Sequence, residues 1–503
     1  MGSKTNEYER NLKLTGHGVF AILAVMALWF WQERTLILDA AFQSYLFIAT
    51  GQPAIMVERF GAAMVQLLPL TGVWAGAPLK TVLMLYSVSV VLFHWGLFSI
   101  CLHGLKDKKA AFAILLFNVL LVGDSFYWMQ NELLQAVSLL FLMWSLWMRR
   151  GDWSAFRPAD WVLSFALATT VIYYHPLVFF PLGFIWLWLW LKANDAMTPH
   201  DPMTKRSLLA VAALFALIFS SKYIFRQPNF YDRGMTGQYV REFNRSPERL
   251  LQSQSLRDFL AHLNDNFILL LPLLAVVTGF YIRKKRYWAA ALAPAATVCY
   301  CLLIMQRFLN DDRWYIEESH YQALAVFLIV PLVWDVLPGL TTSGRLTGKH
   351  GAETERSDDL KSSDRKAPGW LLILMAGLLL IRITGIWNTH RSYTARLAYV
   401  RSLQDKTGAF EGRKFVIGED RADRKTLMMY WGLPYETLQI SALGSPDSVR
   451  VIAIAEKPDS VAAALPPDSM VTFLMIPPRA FRDWPPAYYR MRDTSGWEKI
   501  RLR

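Results

Sequence analysis

Residues 81–103 read TVLMLYSVSVVLFHWGLFSICLH, an apolar run that contains no Asp, Glu, Lys or Arg. A helix needs about 20 mostly apolar residues to cross the hydrocarbon core of a bilayer. Because lipid offers no hydrogen-bond partners, the backbone of such a run must form its hydrogen bonds internally, as a helix does. This stretch therefore predicts a transmembrane helix, and the rest of the chain can be interpreted outward from it.

Similar apolar blocks recur through the first 390 residues. We predict spans near 17–32, 81–103, 110–128, 132–148, 160–174, 176–191, 207–225, 267–282, 287–306, 321–337 and 370–388. The two blocks that flank His175 are short, so one broken helix or two shallow helices fit the sequence equally well. The predicted fold class is an α-helical polytopic membrane protein with about 11 transmembrane helices, which lie within residues 1–388.

Composition supports the same class. Hydrophobic residues make up 54% of the 503-residue chain and charged residues 18%, against about 25% charged in soluble proteins. Collagen and disordered chains are excluded by this balance. A soluble enzyme is excluded because the apolar residues come in long blocks. The three cysteines all lie in predicted spans, which excludes a disulfide scaffold.

Basic residues set the expected orientation. Clusters at 106–109, 149–150, 205–206 and 283–286 fall on one side of the predicted membrane by alternation. Short cytoplasmic loops carry an excess of Lys and Arg, so we place the N-terminus in the cytoplasm and the C-terminus outside. The formal net charge of +13 is then mainly a signal of topology, and we expect no nucleic-acid partner.

Three segments outside the spans have distinct characters. Residues 33–79 show apolar residues at helical spacing with few charges, which predicts interfacial amphipathic helices broken at Gly51-Gln52-Pro53. Residues 338–369 are rich in Ser, Asp, Lys and Gly, which predicts a flexible cytoplasmic linker loop. Residues 389–503 predict a small extracytoplasmic α/β domain, with strands at 414–418, 449–454 and 470–475 and a helix around 424–431.

Ionisable residues in apolar surroundings are the candidate functional residues, because placing them at membrane depth is costly. Asp39 follows the first predicted span and is interpreted either as a helix cap or as a catalytic base. Glu132 opens the fourth span, where it is either a first-turn acid favoured by the helix dipole or a second catalytic acid. His175 precedes Pro176, which breaks the helix and favours a residue that lines a cavity.

The densest polar cluster is the predicted outer connection 307–321, RFLNDDRWYIEESHY. Its alternating aromatics favour contact with a lipid-like molecule, and a solvated loop is the alternative. The planar guanidinium group of arginine can donate two parallel hydrogen bonds, which suits it to bind a phosphate at the membrane interface. The predicted substrate-binding residues are Arg59, His175, Arg307, Arg313, Tyr315, Glu318 and His320. Asp311 and Asp312 could hold a divalent metal ion through oxygen, although their spacing matches no ligand motif.

Four segments carry a resemblance to the GT-C superfamily of polytopic glycosyltransferases. They are 38–45 (LDAAFQSY), 58–60 (ERF), 131–135 (NELLQ) and 174–176 (YHP). The layout of residues 17–390 is especially similar to the bacterial branch with a Pro- and Leu-rich first loop. Many members carry a double acidic motif in that loop, whereas here Ala40 follows Asp39. This departure leaves open whether Asp39 acts alone or catalysis has been lost.

The resemblance implies an inverting transferase in the bacterial inner membrane that serves cell-envelope polysaccharide biosynthesis. Its donor would be a polyprenyl-phosphate-linked sugar, and its acceptor a glycan, lipid or protein. Asp39 would take the acceptor proton, and Arg59 or Arg313 would stabilise the departing phosphate. The C-terminal domain would bind the acceptor or a protein partner. The candidate cofactor is a divalent metal ion.

Three alternatives remain open at this point. A polymerase or ligase of lipid-linked oligosaccharides shares the substrate class and differs mainly in acceptor. A transporter or flippase also needs arginines and buried acids, but we expect it to show an internal repeat and charges near the bilayer midplane. A non-catalytic membrane assembly subunit is the third alternative.

Overall fold

The described part of the chain is mostly helical. The structure, a computed structural model, describes residues 5–150, 156–193, 204–225, 231, 233–234, 248–308, 314–338, 369–471, 480–493 and 495–500. The predicted linker is almost entirely outside these ranges. Helices are joined by short turns through most of the described chain, and strands occur only in its C-terminal part.

The first half of the described chain contains helices α1 to α11, and the second half contains helices α12 to α21. The bounds are α1 Thr5–Trp29, α2 Trp31–Thr35, α3 Leu38–Thr50, α4 Ala63–Trp74, α5 Leu79–Ser99, α6 Lys108–Phe117, α7 Asp124–Tyr127, α8 Glu132–Arg150, α9 Pro158–Tyr174, α10 Phe179–Ala193 and α11 Lys205–Ser220. They continue as α12 Glu248–Leu251, α13 Gln254–His262, α14 Leu270–Arg283, α15 Tyr287–Arg307, α16 Trp314–Tyr321, α17 Leu324–Pro331, α18 Gly369–Thr407, α19 Arg424–Leu427, α20 Leu433–Ala442 and α21 Pro458–Ala464.

Five described helical segments are long and apolar enough to cross a membrane. They are Leu79–Gly104, Pro176–Ala193, Lys205–Phe225, Tyr287–Arg307 and Glu318–Val336. Several of their large apolar side chains face outward, among them Leu209 and Leu217, which are 55% and 62% exposed. Such exposure is expected where lipid covers a helix. These segments indicate a membrane-embedded protein, while the full set of eleven spans stays a prediction.

The block predicted as a span at 110–128 is interrupted. Helix α6 ends at Phe117, where the Asn118 side chain donates a hydrogen bond to the Ile114 carbonyl over 2.8 Å. A short helix, α7, then begins at Asp124. At its start, the backbone N–H groups of Gly123 and Ser125 donate hydrogen bonds to the Glu318 carboxylate. A carboxylate distant in sequence thus organises this turn, which hydropathy alone could not indicate.

Helix α18 crosses the predicted domain boundary at residue 388 without a break. It has 39 residues and is therefore about 58 Å long at 1.5 Å per residue, about twice the thickness of a hydrocarbon core. Its first part contains the predicted final span. Its last turns lie among the residues of the C-terminal domain, where Val400 and Leu403 join the apolar core of the sheet.

The C-terminal domain contains a parallel three-stranded sheet in the order β2-β1-β3, with β1 Lys414–Gly418, β2 Val451–Ala455 and β3 Glu498–Ile500. The first two strands lie close to their predicted positions. The third predicted strand at 470–475 falls mostly outside the described residues, and the third described strand is β3.

The helix predicted around 424–431 is shorter than expected. It is capped by Asp423 and ends after Leu427, because the next residue, Met428, has a positive φ of 55°. The longer helix α20 starts at Leu433 with a proline in its first turn, a position that proline favours.

Candidate functional site

A buried ion pair joins the first loop to helix α8. Nη1 of Arg59 lies 3.0 Å from Oε2 of Glu132, and the two side chains are only 13% and 7% exposed. Glu132 is the first residue of α8, so its carboxylate also lies at the positive end of that helix. Both residues were predicted to belong to the site, and the structure brings them into direct contact.

Asp39 lies in the first turn of helix α3, beside this ion pair. Its side chain is partly buried, and no hydrogen bond from a described residue reaches its carboxylate. Burial and, to a smaller extent, the negative field of Glu132 raise the pKa of Asp39 from 3.8 to about 7, although the positive charge of Arg59 opposes the shift. A carboxyl group with a pKa near neutrality can exchange a proton with a substrate at physiological pH.

Close packing fixes the loop that carries Arg59. A Cβ atom added to Gly61 would lie 2.3 Å from the Tyr174 ring, so the backbone contacts that ring directly. The Tyr174 hydroxyl is fully buried, and no described residue hydrogen-bonds to it. The field of Glu132 acts on it. The Tyr174 ring therefore supports the loop, while the Tyr174 hydroxyl stays available for a hydrogen bond in the field of Glu132.

Two histidines from distant segments face each other near these groups. The rings of His175 and His320 lie with centroids 5.8 Å apart in an edge-to-face arrangement. Nδ1 of His175 accepts a hydrogen bond from the Leu177 backbone N–H over 3.1 Å. In the neutral imidazole the proton therefore lies on Nε2, which remains a donor. The positive fields of Arg59 and Lys222 act on His175.

Lys222 is a site residue that the sequence analysis missed. It is 2% exposed, its ammonium group lies 3.3 Å from the Ile172 carbonyl, and it sits 4.7 Å from the centre of the Tyr173 ring. A lysine within an otherwise apolar predicted span is a recognisable signal of function, and that signal was available at 207–225.

Tyr231 was also missed, because the sequence around it, RQPNFYDRG at 226–234, has no hydrophobic pattern. The Arg59 guanidinium carbon is 5.7 Å from the centre of its ring. The charges of Asp39, Glu132 and Arg307 all act on its hydroxyl. Arg307 itself ends helix α15 and stacks on the Phe308 ring at 5.2 Å.

We call these neighbouring groups the Asp39–Glu132 cluster. Its members are Asp39, Arg59, Glu132, Tyr174, His175, Lys222, Tyr231, Arg307 and His320.

Glu318 lies outside the cluster, although it is two residues from His320 on helix α16. Successive helix positions are about 100° apart, so the two side chains point in nearly opposite directions. Glu318 is 0% exposed. Its two carboxylate oxygens accept hydrogen bonds from the backbone N–H groups of Gly123 and Ser125, at 3.1 and 2.8 Å. These contacts give Glu318 a structural role in the turn before helix α7.

Most of the remaining predicted site residues lie outside the described part of the chain. Arg313, Asp311 and Asp312 lie outside the described residues, as does the side chain of Tyr315. Within the described ranges, no group of three or more His, Cys, Asp or Glu side chains could hold a metal ion. The metal site at Asp311 and Asp312 therefore stays a prediction.

No family model, no curated protein and no solved structure matches the chain. The similarity to GT-C glycosyltransferases therefore rests on the sequence segments quoted above.

Proposed function

We propose that this protein is an integral-membrane glycosyltransferase that uses a polyprenyl-phosphate-linked sugar. The proposal rests on one observation: carboxylates and positively charged side chains lie together in the Asp39–Glu132 cluster. Two carboxylates, Asp39 and Glu132, lie among three cations, Arg59, Lys222 and Arg307. Because the cations outnumber the acids, an anionic group such as a phosphate would be attracted to this place.

The carboxylates and the cations of the cluster suit different parts of a transfer reaction. The Asp39 carboxylate would accept the proton as the acceptor O–H bond breaks and the oxygen forms a bond to the anomeric carbon. The bond from that carbon to the phosphate oxygen breaks, and its electron pair leaves with the phosphate. Arg59, Lys222 or Arg307 would stabilise the charge that develops on that oxygen. Glu132 would hold Arg59 in place through their ion pair.

The apolar surroundings suit a donor with a lipid tail. Exposed apolar side chains line the helices that carry Lys222 and Arg307, among them Ile224, Phe225 and Leu302. A polyprenyl chain could lie against these side chains while its phosphate meets the cations. We infer an inverting reaction, since a single base beside the acceptor suffices for direct displacement.

The experiment that tests this proposal is transfer by the purified full-length protein in nanodiscs. Polyprenyl-phosphate sugars are the donors, and an extracted cell-envelope glycan or lipid fraction is the acceptor. We expect Asp39→Asn and Lys222→Met to lose transfer while Glu33→Gln keeps it. Glu33 is a matched control because it is a partly exposed acid six positions before Asp39, and its carboxylate accepts a hydrogen bond from Thr394.

Other outcomes would replace the proposal. Donor binding and movement across the bilayer without transfer would indicate a flippase. Addition of a preassembled oligosaccharide, with no transfer of single sugars, would indicate a polymerase or ligase. Absence of donor binding in the intact protein would favour a non-catalytic assembly subunit.

A further inference from the structure

A buried ion pair of the C-terminal domain contacts the backbone at the start of helix α3. Arg396 and Glu436 form an ion pair of 2.7 Å, with side chains only 5% and 0% exposed. Oε1 of the same Glu436 also accepts a hydrogen bond from the backbone N–H of Leu38 over 2.9 Å. Leu38 directly precedes Asp39. One carboxylate of the C-terminal domain thus holds the backbone that carries the candidate base.

The contact continues along α3. Nε2 of Gln439 donates to the Ser44 hydroxyl over 2.8 Å and also to the Ala41 carbonyl. Nε1 of Trp484 donates to the Tyr45 hydroxyl over 3.0 Å. Hydrogen bonds therefore reach α3 along two of its turns, from partners about 400 residues away in sequence. Such an arrangement fixes both the rotation and the depth of the helix.

Backbone geometry adds a second, independent observation. Leu38 has a φ of 44°, a conformation that non-glycine residues rarely adopt. Residues keep such a conformation only where their surroundings enforce it. Gly432 approaches from the C-terminal domain so closely that an added Cβ atom would lie 2.7 Å from the Leu38 Cα atom. The C-terminal domain therefore packs directly against Leu38, the residue with the strained backbone.

We propose that the C-terminal domain is a built-in part of the candidate active site, in which Glu436 is a positioning residue that holds Asp39 in place through Leu38. The effect of this contact on transfer rests on the proposed function. The effect on the position and environment of Asp39 does not, so the two can fail separately. Among the described residues, the charged and phenolic groups that act on the Asp39 carboxyl are Arg59, Tyr86, Glu132 and Tyr231. They lie outside the C-terminal domain, so the domain acts on Asp39 through the backbone.

The test compares Glu436→Gln with Asp493→Asn in the full-length protein. Both changes turn a carboxylate of the C-terminal domain into an amide, and both carboxylates accept a hydrogen bond from a backbone N–H, of Leu38 and of Arg413 respectively. Hydrogen exchange is followed in α3 and in strand β1. Modification of Asp39 by a water-soluble carbodiimide is followed by mass spectrometry from pH 5 to 8.

For Glu436→Gln we expect exchange in α3 to rise on the order of tenfold or more while β1 stays protected. The pH midpoint of Asp39 modification should fall towards the usual carboxyl range, because a looser helix admits water to the carboxylate. Asp493→Asn should change neither the exchange of α3 nor the pH midpoint of Asp39 modification. Transfer should fall about 10–100-fold, the usual effect of displacing a catalytic group by about 1 Å.

A second pair of variants guards against simple misfolding. Gly432→Ala adds one methyl group against Leu38, and the φ of Gly432 is −81°, which alanine adopts freely. Gly444→Ala is the matched control, since its nearest contact would be an ordinary 3.7 Å. We expect Gly432→Ala alone to loosen α3 and lower the midpoint of Asp39 modification.

Unchanged α3 exchange and an unchanged Asp39 midpoint in both Glu436→Gln and Gly432→Ala would overturn the proposal. Loosening of α3 with full transfer would overturn its catalytic part. By contrast, an intact wild-type protein that transfers no sugar, with the exchange and modification results as expected, would refute only the proposed function.

Discussion

Replacing Asp39 by Asn should make the protein more stable at alkaline pH. Folding raises the pKa of Asp39 from 3.8 to about 7, so the fold prefers the protonated carboxyl and loses stability as pH rises between these values. A shift of that size corresponds to at most about 4 kcal/mol above pH 7. Since the side chain is partly exposed, water reduces the penalty, and we expect about 1–2 kcal/mol. Asn has a similar shape and carries no charge.

The assay is thermal unfolding of both proteins in the same detergent at pH 4.5 and pH 8. At pH 4.5 the Asp39 penalty is small, and the two proteins should melt at similar temperatures. At pH 8 the Asn protein should melt a few degrees higher, since about 1 kcal/mol corresponds to a shift of about 2–4 °C in domains of intermediate size. Glu33→Gln is the control and should show no such gain. Equal melting temperatures at pH 8, or a difference that does not grow with pH, would refute the reasoning.

Three further predictions concern the neighbours of Asp39. Glu132→Gln should destabilise the protein by about 3–5 kcal/mol in chemical denaturation because it breaks the largely buried ion pair with Arg59, and a double-mutant cycle of the two residues should show coupling. Lys222→Met should weaken binding of polyprenyl phosphate about tenfold in a titration, the value of one charge-assisted contact, with little change in the melting temperature; an unchanged affinity would remove Lys222 from the site. Gly61→Ala should lower the melting temperature because its Cβ would meet the Tyr174 ring at 2.3 Å, whereas Gly183→Ala meets nothing within 4 Å and should be neutral.

Local patterns in the sequence predicted the local parts of the fold. Apolar runs of adequate length, such as 81–103 and 207–225, predicted helices that the structure contains. Alternating and β-branched residues predicted the strands around 414–418 and 449–454. These features depend on neighbours in the chain, so a single sequence reveals them.

Features set by distant residues could not be predicted in this way. The turn before helix α7 contains backbone N–H groups that donate hydrogen bonds to Glu318, almost 200 residues later in the chain. The contact between Glu436 and Leu38 spans 398 positions. Neither pairing leaves a mark on hydropathy or spacing.

Only some residues of the candidate site could be predicted from the sequence. Asp39, Glu132 and His175 stood out because charged or imidazole side chains are rare in apolar surroundings. Lys222 gave the same signal and was overlooked within its apolar run. Tyr231 gave no signal of its own, because a tyrosine in a polar stretch of sequence has no distinctive pattern. Its place beside Arg59 follows only from the folded chain.

The most direct test of the central claim is the pH dependence of sugar transfer by wild-type protein and by Asp39→Asn, under single-turnover conditions with a polyprenyl-phosphate sugar. Wild-type transfer should rise with pH around a midpoint near the Asp39 pKa of about 7. The Asn protein should be slower by about 10²–10⁴-fold, the usual contribution of a general base. Transfer by a well-inserted Asn protein at the wild-type rate, with the same pH profile, would contradict the assignment of Asp39 as the base.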